Sequence, residues 1–426
     1  MLPSVVSNIT VPLLGLVDLA IVGHLGKEEP IGAIAIGTAG FNMLYWIFAF
    51  LRMGTTGLTS QAHGARRNDE CAVSLLRALL AGALISALLC ALQGPLFSLI
   101  SLIMQPSAAV QPYYLTYYSI CIWGAPAILC NYALTGWFIG MQNTRIPMIV
   151  AIVQNIINIA FSLIFVLVLD MGLQGVALGT LIGMYSGLVI ALLSATRLWR
   201  KEKLHMPRLE YVLHKNGLLK FLTMNTDIFL RTLCLVSVMT FFTSAGSMQN
   251  DTILASNALL MQFFMIFSFF IDGLANAAEA LSGEYHGAKD HTMLRRTVLH
   301  LFEWAIVLAA FFTFIYIIGG EKILHALTDQ EVIHATAYHY MPWIWVVPLA
   351  SVMAFIWDGV FIGLCWSRGM LISMFISTVV FFAIYFCCFD SMHNSALWLA
   401  FACYLGTRGV VQTIIWFRAG TSPKNA

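Results

Sequence analysis

The 426-residue chain is 60% hydrophobic and 13% aromatic, with only 10% charged residues and a formal net charge of +2. An average soluble domain carries about 25% charge, so this composition excludes a soluble globular fold, a disordered chain and a nucleic-acid binder, which needs a far larger positive excess. Long apolar runs such as 149–169 also exclude an outer-membrane barrel, whose short strands alternate apolar and polar residues.

Apolar runs read against Gly, Pro and charge breaks predict twelve helical segments. The first six lie at 2–23, 32–60, 72–103, 112–140, 146–169 and 173–196. The second six lie at 217–245, 252–285, 293–318, 332–363, 370–389 and 394–417. The fold class expected is an all-α polytopic membrane protein with an N-lobe at 1–198, a linker at 199–216 and a C-lobe at 217–426. The first run is too long for a cleavable signal peptide and another span follows it.

Lys and Arg gather on one set of alternate loops, including Arg66, Arg67, Arg145, Arg197, Arg200, Lys289, Arg295, Arg296 and Arg368. The opposite set holds only Lys27 and Lys322. By the positive-inside rule both termini are expected in the cytoplasm. Arg52, Arg231 and Arg408 fall within helices or at their ends.

The two halves repeat. His63-Gly-Ala-Arg66 matches His286-Gly-Ala-Lys289, and Gly136-Trp-Phe-Ile-Gly140 matches Gly359-Val-Phe-Ile-Gly363, both at an offset of 223 residues that also lays Arg145 on Arg368. An even number of helices per repeat gives the halves the same orientation, a transporter architecture with a pseudo-twofold along the membrane normal.

Intramembrane carboxylates are costly and so carry a functional expectation. Asp18, in the first segment, has no basic residue within two turns, and low dielectric favours the uncharged, protonated carboxyl. It is the expected proton carrier. Pro12 leaves the carbonyl of Asn8 without its helical donor, a weak point at which protonation could couple to bending. Asn155, Asn158, Ser162 and Thr180 are the polar neighbours expected from the fifth and sixth segments, and Asn158 and Ser162 share a face at a spacing of four. Ordinary interhelical hydrogen bonding remains the alternative for them.

In the second half, Asp272 and Glu279 share a face of the eighth segment and Asp358 stands beside the repeated glycine element, a candidate second polar cluster. Asp227 and Arg231 read as a local i, i+4 pair that neutralises both charges, and His300 with Glu303 as an open question on the ninth segment. Nine cysteines without a CxxC pair imply neither a metal cage nor a disulfide framework. No HExxH, P-loop or dinucleotide fingerprint is present, so no enzyme activity, metal or cofactor is expected and an ion gradient must drive transport.

These residues resemble a known family. Ser7-Asn-Ile-Thr-Val-Pro-Leu-Leu-Gly-Leu-Val-Asp18, Phe50-Leu-Arg-Met-Gly-Thr-Thr-Gly57, Asp272-Gly-Leu, Glu279-Ala-Leu-Ser-Gly, Asp358-Gly-Val-Phe-Ile-Gly363 and Ala396-Leu-Trp-Leu-Ala400 look like the DinF branch of the MATE multidrug and toxic compound extrusion transporters. The resemblance implies a twelve-helix, two-lobed antiporter of the bacterial inner membrane, exporting small organic compounds, often cationic or amphipathic, against H+ or Na+. A monomer in the lipid bilayer is expected. It implies that Asp18 matches the coupling aspartate, Pro3 the proline at the bend of the first helix, and Asn158 and Thr180 the aspartate's polar partners. Glu279 and Asp358 resemble the C-lobe cation site of a different branch.

Two departures bear on mechanism. Ser162 stands where the family usually has a second N-lobe acid. A Na+ site would lose half its charge compensation while a lone carboxyl still takes a proton, so H+ is expected over Na+. The start at Met1 lacks the family's short lead-in, so either a longer N-terminus precedes it or the first helix begins almost bare. The alternatives within transport are Na+-coupled multidrug export and flipping of a lipid-linked precursor.

Overall fold

Apolar helices of 20 to 37 residues account for most of the computed structural model, which describes residues 3–5 and 28–420. The chain divides into two compact units, Met1–Leu222 and Thr223–Ala426. Among the described residues, ten helices are long and apolar enough to cross a membrane.

In the first unit the second predicted segment is α1 (Glu28–Ile47) and α2 (Phe50–Gly64), interrupted at Phe48–Ala49. The third is α3 (Asn68–Ala91) and α4 (Gln93–Met104), interrupted at Leu92. Pro95 at the start of α4 has no N–H to donate to the Ala91 carbonyl of α3, and the nearby Gln93 carbonyl accepts the Tyr118 hydroxyl at 2.9 Å. The fourth is α5 (Gln111–Cys121) and α6 (Ala125–Gly140), joined by one 3₁₀ turn. Then follow α7 (Arg145–Leu163), which ends in a π turn over Ile164–Val168, α8 (Gly172–Lys201) and the short α9 (Leu209–Val212). The long α10 (Lys215–Ser247) contains the boundary between the units.

The second unit continues with α11 (Asp251–Gly287), α12 (His291–Leu327), α13 (Glu331–Gly363), α14 (Ser367–Met392) and α15 (Asn394–Gly420). Asn250 and Asp290 cap α11 and α12 by accepting from the amides of Ile253 and Met293, which satisfies donors that the helix itself leaves open. A reciprocal amide pair joins α11 to α15. Asn257 donates to Asn394 at 2.8 Å, Asn394 donates back at 2.9 Å, and the Trp398 indole donates to the same Asn257 oxygen at 2.9 Å.

The repeat seen in sequence is a repeat of packing. A Cβ on Gly136 would lie 2.3 Å from the Arg52 carbonyl oxygen, and one on Gly359 would lie 2.4 Å from that of Ala275, the residue 223 positions after Arg52. Gly140 likewise meets Thr59, and Gly363 meets Ser282, the counterpart of Thr59. Each unit therefore uses its two glycines, one turn apart, to bring two helix backbones within a distance that no side chain permits.

Candidate functional site

In the first unit, α7 and α8 pack along three glycines at every fourth position of α8. A Cβ on Gly179 would fall 2.3 Å from Ser162 Oγ, one on Gly183 2.8 Å from Asn158 Cβ, and one on Gly187 2.3 Å from Gln154 Oε1. This close approach buries Asn158, Ser162 and Thr180. Ser162 donates its hydroxyl to Asn158 Oδ1 at 3.3 Å, and Asn158 Nδ2 donates to Thr180 Oγ1 at 3.3 Å. The structure thus brings together three of the residues singled out from sequence, across two helices. Among the described residues these three side chains carry no formal charge, and an amide has two N–H donors of which Thr180 takes one. Asn155 is half-buried on α7, and Pro3 is half-buried within the helical residues 3–5. Asp18 and Pro12 lie outside the described residues.

In the second unit Asp358 on α13 is the centre of a buried ionic cluster. Arg231 of α10 donates to Asp358 Oδ2, Arg408 of α15 places Nη2 3.5 Å from the same oxygen, and Gln412 Nε2 donates to Oδ1 at 2.7 Å. The Arg408 guanidinium also lies over the rings of Phe355 and Tyr404, at 5.7 and 5.9 Å from their centroids, which adds cation–π attraction. Side-chain exposure is 8% for Arg231, 4% for Arg408 and 10% for Asp358, so the ions are compensated by one another rather than by water.

The sequence groups Asp358 with Asp272 and Glu279 as a candidate polar cluster, and the tertiary structure adds two guanidiniums and an amide around Asp358. Asp272, half-buried on α11, lies within electrostatic range of Arg408, and Glu279 is buried on the same helix. A cation approaching Asp358 would have to displace an arginine. Of the residues read from sequence as a local i, i+4 pair, Asp227 accepts the Ser367 hydroxyl at 2.7 Å and Arg231 reaches across to Asp358 of α13. Arg408 and Gln412, four apart in an apolar stretch, were the sequence signal for this cluster.

His334 stacks on His325 with ring centroids 3.7 Å apart, an arrangement that turns ring faces rather than lone pairs toward each other. Among the described residues no three His, Cys, Asp or Glu side chains gather in a way that could hold a metal ion.

Comparison with known proteins completes the description. The MatE family model matches the chain twice, over residues 3–164 and 228–387, once in each unit. DNA damage-inducible protein F of Escherichia coli (strain K12) is 35% identical over 417 residues, covering 98% of this chain and 90% of that protein. Among solved structures, MATE in its bent conformation superposes with a TM-score of 0.84 at 18% identity, covering 98% of this chain and 92% of that one. An outward-facing multidrug resistance MATE family transporter of the MOP superfamily also gives 0.84 at 18% identity, with coverage of 98% and 93%.

Proposed function

The chain belongs to the MATE family of membrane transporters, and we propose that it exports organic, cationic or amphipathic compounds across the bacterial inner membrane in exchange for protons. Asp18 carries the proton, and both termini lie in the cytoplasm. The observation that carries the choice of ion is the uncharged network of Asn158, Ser162 and Thr180. Burying a Na+ ion stripped of its hydration shell is costly unless nearby charge offsets it, and Ser162 contributes a neutral hydroxyl where a second carboxylate would stand. A proton needs only the one carboxyl, and neutral hydrogen-bond donors of the kind that Asn158 offers stabilise an ionised carboxylate.

In the cycle that follows, ionised Asp18 accompanies substrate loading from the cytoplasm, and protonation from the outside neutralises it and releases the substrate. The two halves, on either side of the 199–216 linker, alternate in access, with bending of the first helix near Pro3 or Pro12. The Asp358 cluster supports the same choice of ion, because its carboxylate already serves two arginines.

The test is efflux of a fluorescent organic cation from proteoliposomes under an imposed ΔpH or an imposed Na+ gradient, with wild type and Asp18→Asn. Transport driven by ΔpH and abolished in the variant is the expected result. Transport driven by Na+ alone would overturn the proton assignment and redirect attention to Glu279 and Asp358. No transport under either gradient would favour flipping of a lipid-linked precursor, measured by lipid translocation in the same vesicles.

A further inference from the structure

The outer face of α12 carries charge where a membrane-spanning helix would be expected to be apolar. His300 Nδ1 lies 2.8 Å from Glu303 Oε2, and the two side chains are 56% and 68% exposed. They are surrounded on that face by exposed apolar residues, Leu299, Trp304, Ile306 and Val307. One to two turns earlier, His291, Thr292, Arg295, Arg296 and Leu299 line an open groove on the same helix. Among the described residues, neither Arg295 nor Arg296 has an ion-pair partner.

Length fixes the depth of these groups. Glu303 and Glu321 bound an apolar run, 304–320, and at 1.5 Å per residue the two acids are about 27 Å apart, close to the ~30 Å hydrocarbon thickness of a bilayer. The His300–Glu303 pair therefore sits at the edge of the hydrocarbon, and Trp304 beside it sits where interfacial aromatics concentrate. Arg295 is about 12 Å further out, among the headgroups, with a side chain long enough to reach back toward the phosphates. Glu303 is held locally by His300, while Arg295 and Arg296, without an ion-pair partner among the described residues, stand at phosphate level above an exposed leucine.

We propose that this face of α12 binds an anionic phospholipid of the adjoining leaflet, with its phosphate held by Arg295 and Arg296 and its acyl chain lying along Leu299 and Val307. A solvated basic loop would need neither the groove nor the apolar ridge continuing from it. A zwitterionic lipid presents the same phosphate but brings its own cation toward two guanidiniums, which weakens its hold. The arginines are thus the selective element and the His300–Glu303 pair is not.

The test is native mass spectrometry of the full-length protein, delipidated and then titrated with phosphatidylglycerol or phosphatidylethanolamine. Wild type should retain phosphatidylglycerol in preference. Arg295→Gln/Arg296→Gln should weaken that retention by about thirtyfold, the effect of two juxtamembrane basic residues at an anionic surface. Glu303→Gln should not reduce it, and Arg295→Lys/Arg296→Lys, which keeps the charge if the Gln variant folds poorly, should retain most of it. Equal retention of both lipids by wild type, or undiminished phosphatidylglycerol retention after loss of both arginine charges, would overturn the proposal.

Discussion

Ser162 donates its hydroxyl to Asn158 Oδ1 at 3.3 Å across one turn of α7, so the position four residues after that asparagine carries a neutral group. Replacing the hydroxyl by a carboxylate places a second negative charge within reach of a cation. Ser162→Asp is therefore expected to introduce Na+-stimulated efflux and to weaken the response to ΔpH. Proteoliposome transport under each gradient, compared with wild type, reads the change; a variant still driven by ΔpH and indifferent to Na+ would separate Ser162 from the choice of ion.

The network depends on how closely α8 approaches α7. A Cβ at Gly183 would fall 2.8 Å from Asn158 Cβ, with α7 backbone behind it. Gly183→Val should cost about 1–3 kcal/mol by overpacking and part the Asn158–Thr180 bond. The expected readout is a lower thermal unfolding midpoint in detergent with reduced efflux, whereas Gly94→Ala, with no atom within 4 Å of its Cβ, should leave packing undisturbed.

Asp358 compensates two buried guanidiniums, so removing its charge alone should be worse than removing the whole cluster. Asp358→Asn is expected to destabilise the protein by about 3–5 kcal/mol, because the two buried guanidiniums lose the carboxylate they share. The triple change Arg231→Met, Asp358→Leu, Arg408→Met should be far less costly, since each desolvation penalty disappears with its ion. Thermal unfolding of the wild type and the two variants decides it: a triple variant less stable than Asp358→Asn would contradict this account.

Gly136 and Gly359 make the same backbone approach in their respective units, to Arg52 and to Ala275. Gly136→Val and Gly359→Val should therefore lower the unfolding midpoint by similar amounts, each corresponding to about 1–3 kcal/mol of overpacking. A large asymmetry between the two would show that the duplicated packing is no longer equivalent.

Much of this architecture was legible in the chain because helices are encoded locally. An apolar run long enough to span a bilayer, ended by Gly, Pro or charge, marked α7, α8 and α10 to α15 to within a few residues at most of their ends. The offset of 223 residues announced a duplication that then appeared as equivalent glycine contacts. Asn158 and Ser162 could be placed on one face from their spacing alone, since residues four apart are neighbours on any α-helix. The interruptions at Leu92 and at Ile122–Gly124 were less visible, because a helix that breaks and resumes stays apolar throughout.

Partners distant in sequence were decided by the tertiary structure. Asp358 is 127 residues from Arg231 and 54 from Gln412, and Asn257 is 137 from Asn394. Periodicity gives the face of a helix and says nothing of which neighbour that face will meet. For buried ions and amides, the neighbour determines both stability and charge, since each must be satisfied by whatever packing brings within hydrogen-bonding distance. Sequence alone thus determined a duplicated helical transporter and the residue types that carry its polar groups, while packing decided that Asp358 stands among arginines and that, among the described residues, Asn158, Ser162 and Thr180 share one hydrogen-bonded network.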